Sequence, residues 1–269
     1  MSSIRWGLIL GAWGCSGGTS PSDKSGDTGA PLETGDTIDT VDTVDTTTDT
    51  YQPPAGDLEG AVLGTGGGPV IGADLRLCRG AVCRNGVTDA AGGFAFGGVP
   101  AVWHSFEVVA PDELTATVFA PLLIVADETR AVTVHALPYD GTPSPLGSAV
   151  EEHPAGFGLY LELAAGDLEP PLFADEATWV AGARVPEPLW VPVDEVPGTV
   201  LAQWYVGPFD YTAVSNAIPV RIDDEWGLAD GAQLEVYVGN YLQSAWLPAG
   251  TATANGGSIT GAALPNLAT

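Results

Sequence analysis

Val87-Thr88-Asp89-Ala90-Ala91-Gly92-Gly93-Phe94-Ala95-Phe96-Gly97-Gly98-Val99-Pro100 reads as a tight turn feeding a strand. Asp89 through Gly92 are turn residues: an Asp side chain can accept hydrogen bonds from the backbone just ahead of it, and Gly tolerates the backbone angles that a reversal needs. Phe94 and Phe96 stand two apart, so an extended chain turns both rings to one face. An aromatic face behind a glycine turn is the signature of a half-buried strand in an all-β domain.

The segments upstream carry the same pattern. Ala73-Asp74-Leu75-Arg76-Leu77-Cys78 alternates apolar and polar residues, the period of a strand with one buried face. Arg79-Gly80-Ala81 supplies a turn and Val82-Cys83 begins the return strand. A hairpin that short puts Cys78 and Cys83 across from each other at bridging distance, and a disulfide between them is expected. A metal knuckle would need further ligands, and none of His104, His135 and His153 forms a partner pair with the cysteines. Earlier still, Leu58-Glu59-Gly60-Ala61-Val62 precedes the turn-rich Gly64 to Pro69. Later strands are expected at Val108-Val109-Ala110-Pro111, Leu114 to Phe119 and Ala131 to Leu137.

Composition agrees with strands and turns. The 269 residues include 36 Gly and 22 Pro, with 45% hydrophobic residues to supply a core. Asp and Glu number 34 against 8 Lys and Arg, a formal net charge of −26. Nucleic acid needs a basic surface, so a nucleic-acid partner is excluded on charge.

The stretch Gly60-Ala61-Val62, then Pro69 through Ala73, then Thr88 through Phe96 resembles the carboxypeptidase regulatory-like domain. That resemblance implies a seven-stranded Greek-key sandwich of transthyretin-like form over residues 56–138. Members accompany carboxypeptidases without performing the catalysis, so no catalytic residue is carried over.

Pro138 through Pro145 is rich in breakers, and 139–149 is expected to be a linker. Residues 150–269 read as a second β-sandwich-like domain. Phe157, Leu159, Leu161 and Leu163 alternate as one strand; Val200–Val206 and Ile218–Ile222 suggest two more. Leu234, Val236 and Val238 share a face, and Asn255-Gly256 marks a hairpin near the end.

The N-terminus has a different character. Arg5 precedes the apolar run Trp6 to Trp13, which ends at Gly14-Cys15. That is the layout of an export signal, and the run is far shorter than the roughly 20 residues of a transmembrane helix. Ala12-Trp13-Gly14-Cys15 resembles the lipobox of bacterial lipoproteins, with Ala12 standing where Leu is usual. The resemblance implies a signal peptide over 1–14, cleavage before Cys15, and acyl chains (palmitate among them) on Cys15 as a membrane anchor. Ser16 after the cysteine is similar to lipoproteins sent to the outer membrane, so a lipid-anchored place in the cell envelope is expected. Residues 15–55 hold Asp36, Asp39, Asp42 and Asp45 at every third position, each followed by Thr. With almost no large apolar residues this segment is expected to be a disordered, self-repelling spacer. Its Asp spacing lacks the glycine turn of a calcium loop.

The sequence has no nucleophile elbow, zinc-protease motif, phosphate loop or dinucleotide fingerprint. No catalytic residue, metal site or cofactor is expected. Glu151-Glu152-His153 and Asp223-Asp224-Glu225 are the densest polar clusters, and each reads as a solvated loop. Aromatic side chains are the better lead, because they form platforms for sugars. Trp204, inside an apolar run, reads as core. Trp226 and Trp246 are the candidate ligand platform. The expected role is structural or binding, without catalysis, toward a protein or carbohydrate partner at the cell surface; the alternative is a carbohydrate-binding module or an accessory subunit of an extracellular hydrolase.

Overall fold

The turn at Asp89 forms as the sequence demands: its carboxylate accepts from the backbone of Ala91 at 2.8 Å and of Gly93 at 2.7 Å. From there the chain enters a seven-strand module, seen in a computed structural model that describes residues 6–10 (backbone only), 53–171, 174–193, 196–208, 211–214 and 217–267. After β1 (Trp6–Leu10), the strands of this module are β2 (Ala55–Leu63), β3 (Asp74–Arg79), β4 (Val82–Val87), β5 (Gly93–Pro100), β6 (Trp103–Val109), β7 (Val118–Leu123) and β8 (Thr129–His135). They make one sheet in the order β5-β2-β8 and another in the order β4-β3-β6-β7. Leu58 and Val62 of β2, Leu75 and Leu77 of β3, Phe96 of β5 and Phe106 of β6 are buried between them. Phe94 and Phe106 lie 5.1 Å apart, ring centre to ring centre, so the expected aromatic face meets the opposite sheet. Cys78 and Cys83 are directly paired across β3–β4 and joined as a disulfide.

The second module is built from β9 (Ser144–Pro145), β10 (Glu151–Pro154), β11 (Leu159–Leu163), β12 (Leu168–Glu169), β13 (Trp179–Val185), β14 (Thr199–Gly207), β15 (Tyr211–Ala213), β16 (Ile218–Asp223), β17 (Gln233–Asn240), β18 (Ala245–Asn255), β19 (Ser258–Leu264) and β20 (Asn266–Leu267). One long sheet runs β10-β11-β16-β19-β18-β17-β1-β14-β13-β9, and β12-β15-β20 forms a small one. The long sheet curls until its two ends face each other. Leu159 and Leu161 of β11, Val220 and Ile222 of β16, Val180 of β13 and Trp204 of β14 fill a single core within it. The β18–β19 hairpin closes through Gly256 and Gly257, both with positive φ, which the hairpin turn of this twist requires.

Where the ends of the sheet meet, Gly182 of β13 lies against Ala155, and a Cβ there would overlap the Ala155 carbonyl oxygen. Gly182→Ala is therefore expected to force the ends apart, at a cost of about 1–3 kcal/mol. Thermal denaturation checks this; an unchanged melting temperature would mean that the ends do not meet.

The described residues are all-β, with no α-helix and no helix long or apolar enough to cross a membrane. Two expectations about layout need correction. Residues 139–149 are not a bare linker: Ser144–Pro145 pairs with Val180 and Trp179, and the Tyr139 ring meets the Trp179 ring edge-on at 5.6 Å. Proline is tolerated because β9 lies at the edge of its sheet. In the full chain Trp6–Leu10, the apolar run of the expected signal peptide, forms a strand whose backbone pairs in parallel with β14 on one side and β17 on the other. Phe157 is not part of the strand that begins at Leu159, because Gly156 and Gly158 on either side of it both take positive φ. Cys15 and almost all of the 15–55 segment lie outside the described residues.

The two modules share apolar packing. Phe119 of β7 meets Trp246 of β18 edge-on at 5.7 Å. The Ser105 hydroxyl donates to the Tyr241 carbonyl at 2.6 Å, and the Tyr241 hydroxyl donates to the Cys83 sulfur.

His104 of β6 is only 3% exposed. Burial is the main cause that holds its pKa below the usual 6.5, with the positive charges of Arg79 and Arg84 acting the same way. A base with a depressed native pKa favours unfolding once it must be protonated. Its contribution is thus complete above pH 6.5 and is lost as pH falls below that toward the native pKa. Wild type is expected to lose melting temperature between pH 6.5 and 5 more steeply than His104→Gln; parallel curves would rule His104 out as the cause.

Candidate functional site

Antiparallel register sets Arg184 of β13 directly opposite Trp204 of β14. Opposed residues in such a pair share a face, and the Arg184 guanidinium sits over the Trp204 ring at 5.5 Å. It also lies 5.5 Å from the centre of the Trp226 ring and 5.9 Å from that of Phe157. Glu225 closes an ion pair with it. A cation among three aromatic faces gains from each ring quadrupole while its charge is answered by the carboxylate.

Around this arginine opens a cleft of about 1030 Å³. Phe157, Tyr160, Trp190 and Trp226 line it, with Trp204 and Leu201 deeper in and Asp140, Glu187, Asp223, Asp224 and Glu225 supplying carboxylates. Phe157 is 64% exposed, held out by its glycine-flanked turn. Asp140 fixes that turn: its carboxylate accepts from the Phe157 N–H at 3.0 Å and the Arg184 N–H at 2.7 Å. The Trp204 indole N–H donates to the Phe157 carbonyl at 3.0 Å. Asp224 accepts from the backbone N–H groups of Trp226 and Leu228, at 3.1 and 2.8 Å, and so shapes the loop that presents Trp226.

Asp223 reaches two partners, the Tyr160 hydroxyl at 3.2 Å and Arg221 at 2.6 Å. Arg221 also binds both oxygens of Glu152, at 2.6 and 2.8 Å, and stacks on Tyr160 at 3.7 Å from the ring centre. The hydrogen bonds from Arg221 hold the Glu152 carboxyl below its usual range. The two acidic clusters of the sequence are thus not free loops; Arg221 draws one carboxylate of each together. His153 is buried on β10, with its ring Nδ1 3.0 Å from the Ser144 hydroxyl.

Of the two expected platform residues, only Trp226 lines the cleft. Trp246 is 7% exposed and packed on Phe119, its indole N–H directed at the Pro192 carbonyl at 3.3 Å. Its β18 position is paired with Gly239, where a Cβ would overlap the Phe119 ring, so the contact is made by ring on ring rather than with solvent. Phe157, Tyr160, Trp190 and Arg184 were not anticipated. The glycines on either side of Phe157 were the available signal, since an aromatic residue between two turn glycines is presented rather than packed. Among the described residues no group of three or more His, Cys, Asp and Glu side chains is placed to hold a metal ion.

No protein family matches the sequence, and no curated protein matches it. Among solved structures, the minor pilin of Streptococcus agalactiae is 14% identical, with a TM-score of 0.29, over 34% of this chain and 48% of its own. The match thus spans less than half of that pilin. The 5-hydroxyisourate hydrolase of Klebsiella pneumoniae is 16% identical over 31% of this chain and 90% of its own, with a TM-score of 0.26. A DUF3823 family protein of Parabacteroides merdae is 12% identical over 79% of this chain and 98% of its own, also with a TM-score of 0.26.

Proposed function

We propose that this chain is a lipid-anchored binding protein of the bacterial cell envelope, without catalytic activity, whose second module holds a carbohydrate in the Arg184 cleft. In this reading Cys15 carries the acyl chains, residues 15–55 space the modules from the membrane, and the first module is a carboxypeptidase regulatory-like sandwich with a structural role. The outer membrane is the proposed site of attachment.

The observation that carries the binding role is the lining of the cleft. Half-exposed Trp226, Trp190 and Tyr160 and exposed Phe157 offer flat apolar faces, and carboxylates stand among them. A sugar ring has just these two needs: an apolar face of C–H groups to stack and hydroxyls that donate. A cleft of this kind, mostly apolar with a few fixed polar groups, is the common form of a small-ligand site. Binding is favoured over acid–base chemistry because four of the five carboxylates of the cleft, all but Glu187, are committed to structure. Asp140 and Asp224 hold backbone N–H groups, while Glu225 and Asp223 are paired with arginines.

Two experiments test the reading separately. A glycan array with the full chain, followed by calorimetry on the best ligand, should show binding that Trp226→Ala weakens at least tenfold, with the melting temperature kept. A ligand bound equally by Trp226→Ala, or no glycan bound at all, would overturn the carbohydrate assignment. Intact mass and detergent partitioning in a bacterial host should find the wild type cleaved, acylated and membrane-bound, and Cys15→Ala soluble. Both proteins soluble and unmodified would overturn the anchor and leave the cleft reading standing.

A further inference from the structure

Three of the eight basic residues of this very acidic chain, Arg76, Arg79 and Arg84, fall within nine positions, and no Asp or Glu lies between Asp74 and Asp89. That stretch is the β3–β4 hairpin, pinned by its disulfide. Register decides where the charges go. Leu77 pairs with Arg84 and Arg79 with Val82, so these four side chains share one face. It is the face that, at Leu75 and Leu77, forms the core of the sandwich. At the hairpin end it opens into a cleft of about 340 Å³, completed by Pro100 and His104. The Arg84 guanidinium is held there by two hydrogen bonds, to the carbonyls of Gly97 at 2.7 Å and Gly98 at 2.8 Å on the opposite sheet. Arg76, on the other face, is answered by Glu107 at 3.3 Å. Arg79 is exposed and makes no ion pair among the described residues.

The same hairpin has an open edge. β4 is the terminal strand of its sheet and pairs with β3 alone. Val82 is 76% exposed and Val87 60%, and only Gly86 of the strand is half-buried. The outer row of backbone N–H and C=O groups can therefore accept another strand, the liability of any sheet edge.

We propose that this hairpin docks an extended acidic segment of a partner polypeptide, which adds to β4 as a strand and sets carboxylates against Arg79 and Arg84. Charge favours such a partner: on a chain of net charge −26 this face gathers Arg79 and Arg84, with Asp57 engaged by the Gly98 N–H at 2.9 Å on the opposite sheet. The unpaired edge selects a polypeptide over a polyanionic glycan, because only a main chain supplies N–H and C=O groups at strand spacing. Pinning by the disulfide lowers the cost of ordering the edge on binding. This surface lies on the first module and does not depend on the carbohydrate reading of the second.

Fluorescence polarisation of a labelled nonapeptide alternating Asp and Val, titrated with the full chain at low salt, tests it. Binding is expected, weakened at least tenfold by Arg79→Glu and by N-methylation of alternate peptide bonds in the probe. Arg84→Ala should weaken it too, but Arg79→Glu decides, because Arg79 holds nothing in the fold and its loss leaves the melting temperature unchanged. No binding, or equal binding to Arg79→Glu, would overturn the site and leave the arginines as guards of the edge. Equal binding of the N-methylated probe, or of a galacturonate hexamer, would overturn strand addition by a polypeptide.

Discussion

Trp204→Ala is expected to lower the stability of the protein by about 3–5 kcal/mol, the range for removing a large aromatic side chain from a core. Trp204 is 1% exposed and is the largest of the fully buried side chains. Its loss leaves a cavity where β14 faces the far end of the curled sheet. It also strips the Phe157 carbonyl of its indole donor and leaves the Arg184 guanidinium without the ring beneath it. For a chain of this size each kcal/mol moves the melting temperature by roughly 2–4 °C, so a drop on the order of 10 °C is expected. Trp204→Phe keeps most of the apolar volume and loses the N–H, and should cost about 1–3 kcal/mol, from the lost hydrogen bond to a part-buried carbonyl together with a small void. Chemical denaturation of both variants measures the difference. An alanine variant within 1 kcal/mol of wild type would mean that the floor of the cleft is not part of the cooperative core, and that the cleft is a surface groove.

Reading the sequence as strands succeeded wherever one face of a strand is buried and the other is wet. Leu75 and Leu77, Phe94 and Phe96, and Leu159, Leu161 and Leu163 all alternate because each belongs to such a strand. β13 carries no such alternation. Trp179-Val180-Ala181-Gly182-Ala183-Arg184-Val185 is apolar on both faces, since Val180 enters the core of the second module while Ala183 and Val185 pack toward the first. A strand buried on both sides has no period to detect. Trp246 was misread for a related reason. Position along a strand says which face a ring occupies, but a face can meet solvent or a neighbouring module, and only the fold distinguishes them. The cleft was the least legible feature. Asp140, Phe157, Arg184 and Trp226 meet through the curl of a sheet whose ends are far apart in the chain, and no local spacing records that meeting. What the sequence did hold was each piece of local chemistry: glycines beside Phe157, and a carboxylate two residues before Trp226 whose oxygens shape its loop.

Removal of residues 1–14 is expected to change hydrogen exchange at two strands by orders of magnitude while changing global stability little. In the full chain the backbone of Trp6–Leu10 is paired on both sides, with Thr199–Trp204 of β14 and with Leu234–Val238 of β17. The cleavage implied by the lipobox resemblance takes this strand away. Each backbone hydrogen bond contributes about 1 kcal/mol net, and a five-residue strand paired on both sides makes on the order of ten. Ordering those five residues costs about 1–2 kcal/mol each for the backbone, and more for the side chains. The two sums nearly offset, which is what a strand that can be given up requires. Local protection has no such compensation, because amides on β14 and β17 that point into the gap lose their acceptors outright. Exchange measured by mass spectrometry on the full chain and on the chain starting at Cys15 should show 200–204 and 234–238 newly exposed, with β11 and β16 unchanged. Full protection in the shorter chain would mean that β14 and β17 close on each other when β1 leaves. Global unfolding of the shorter chain would mean that Trp6–Leu10 is a permanent part of the fold, and the export reading of the N-terminus would fall with it.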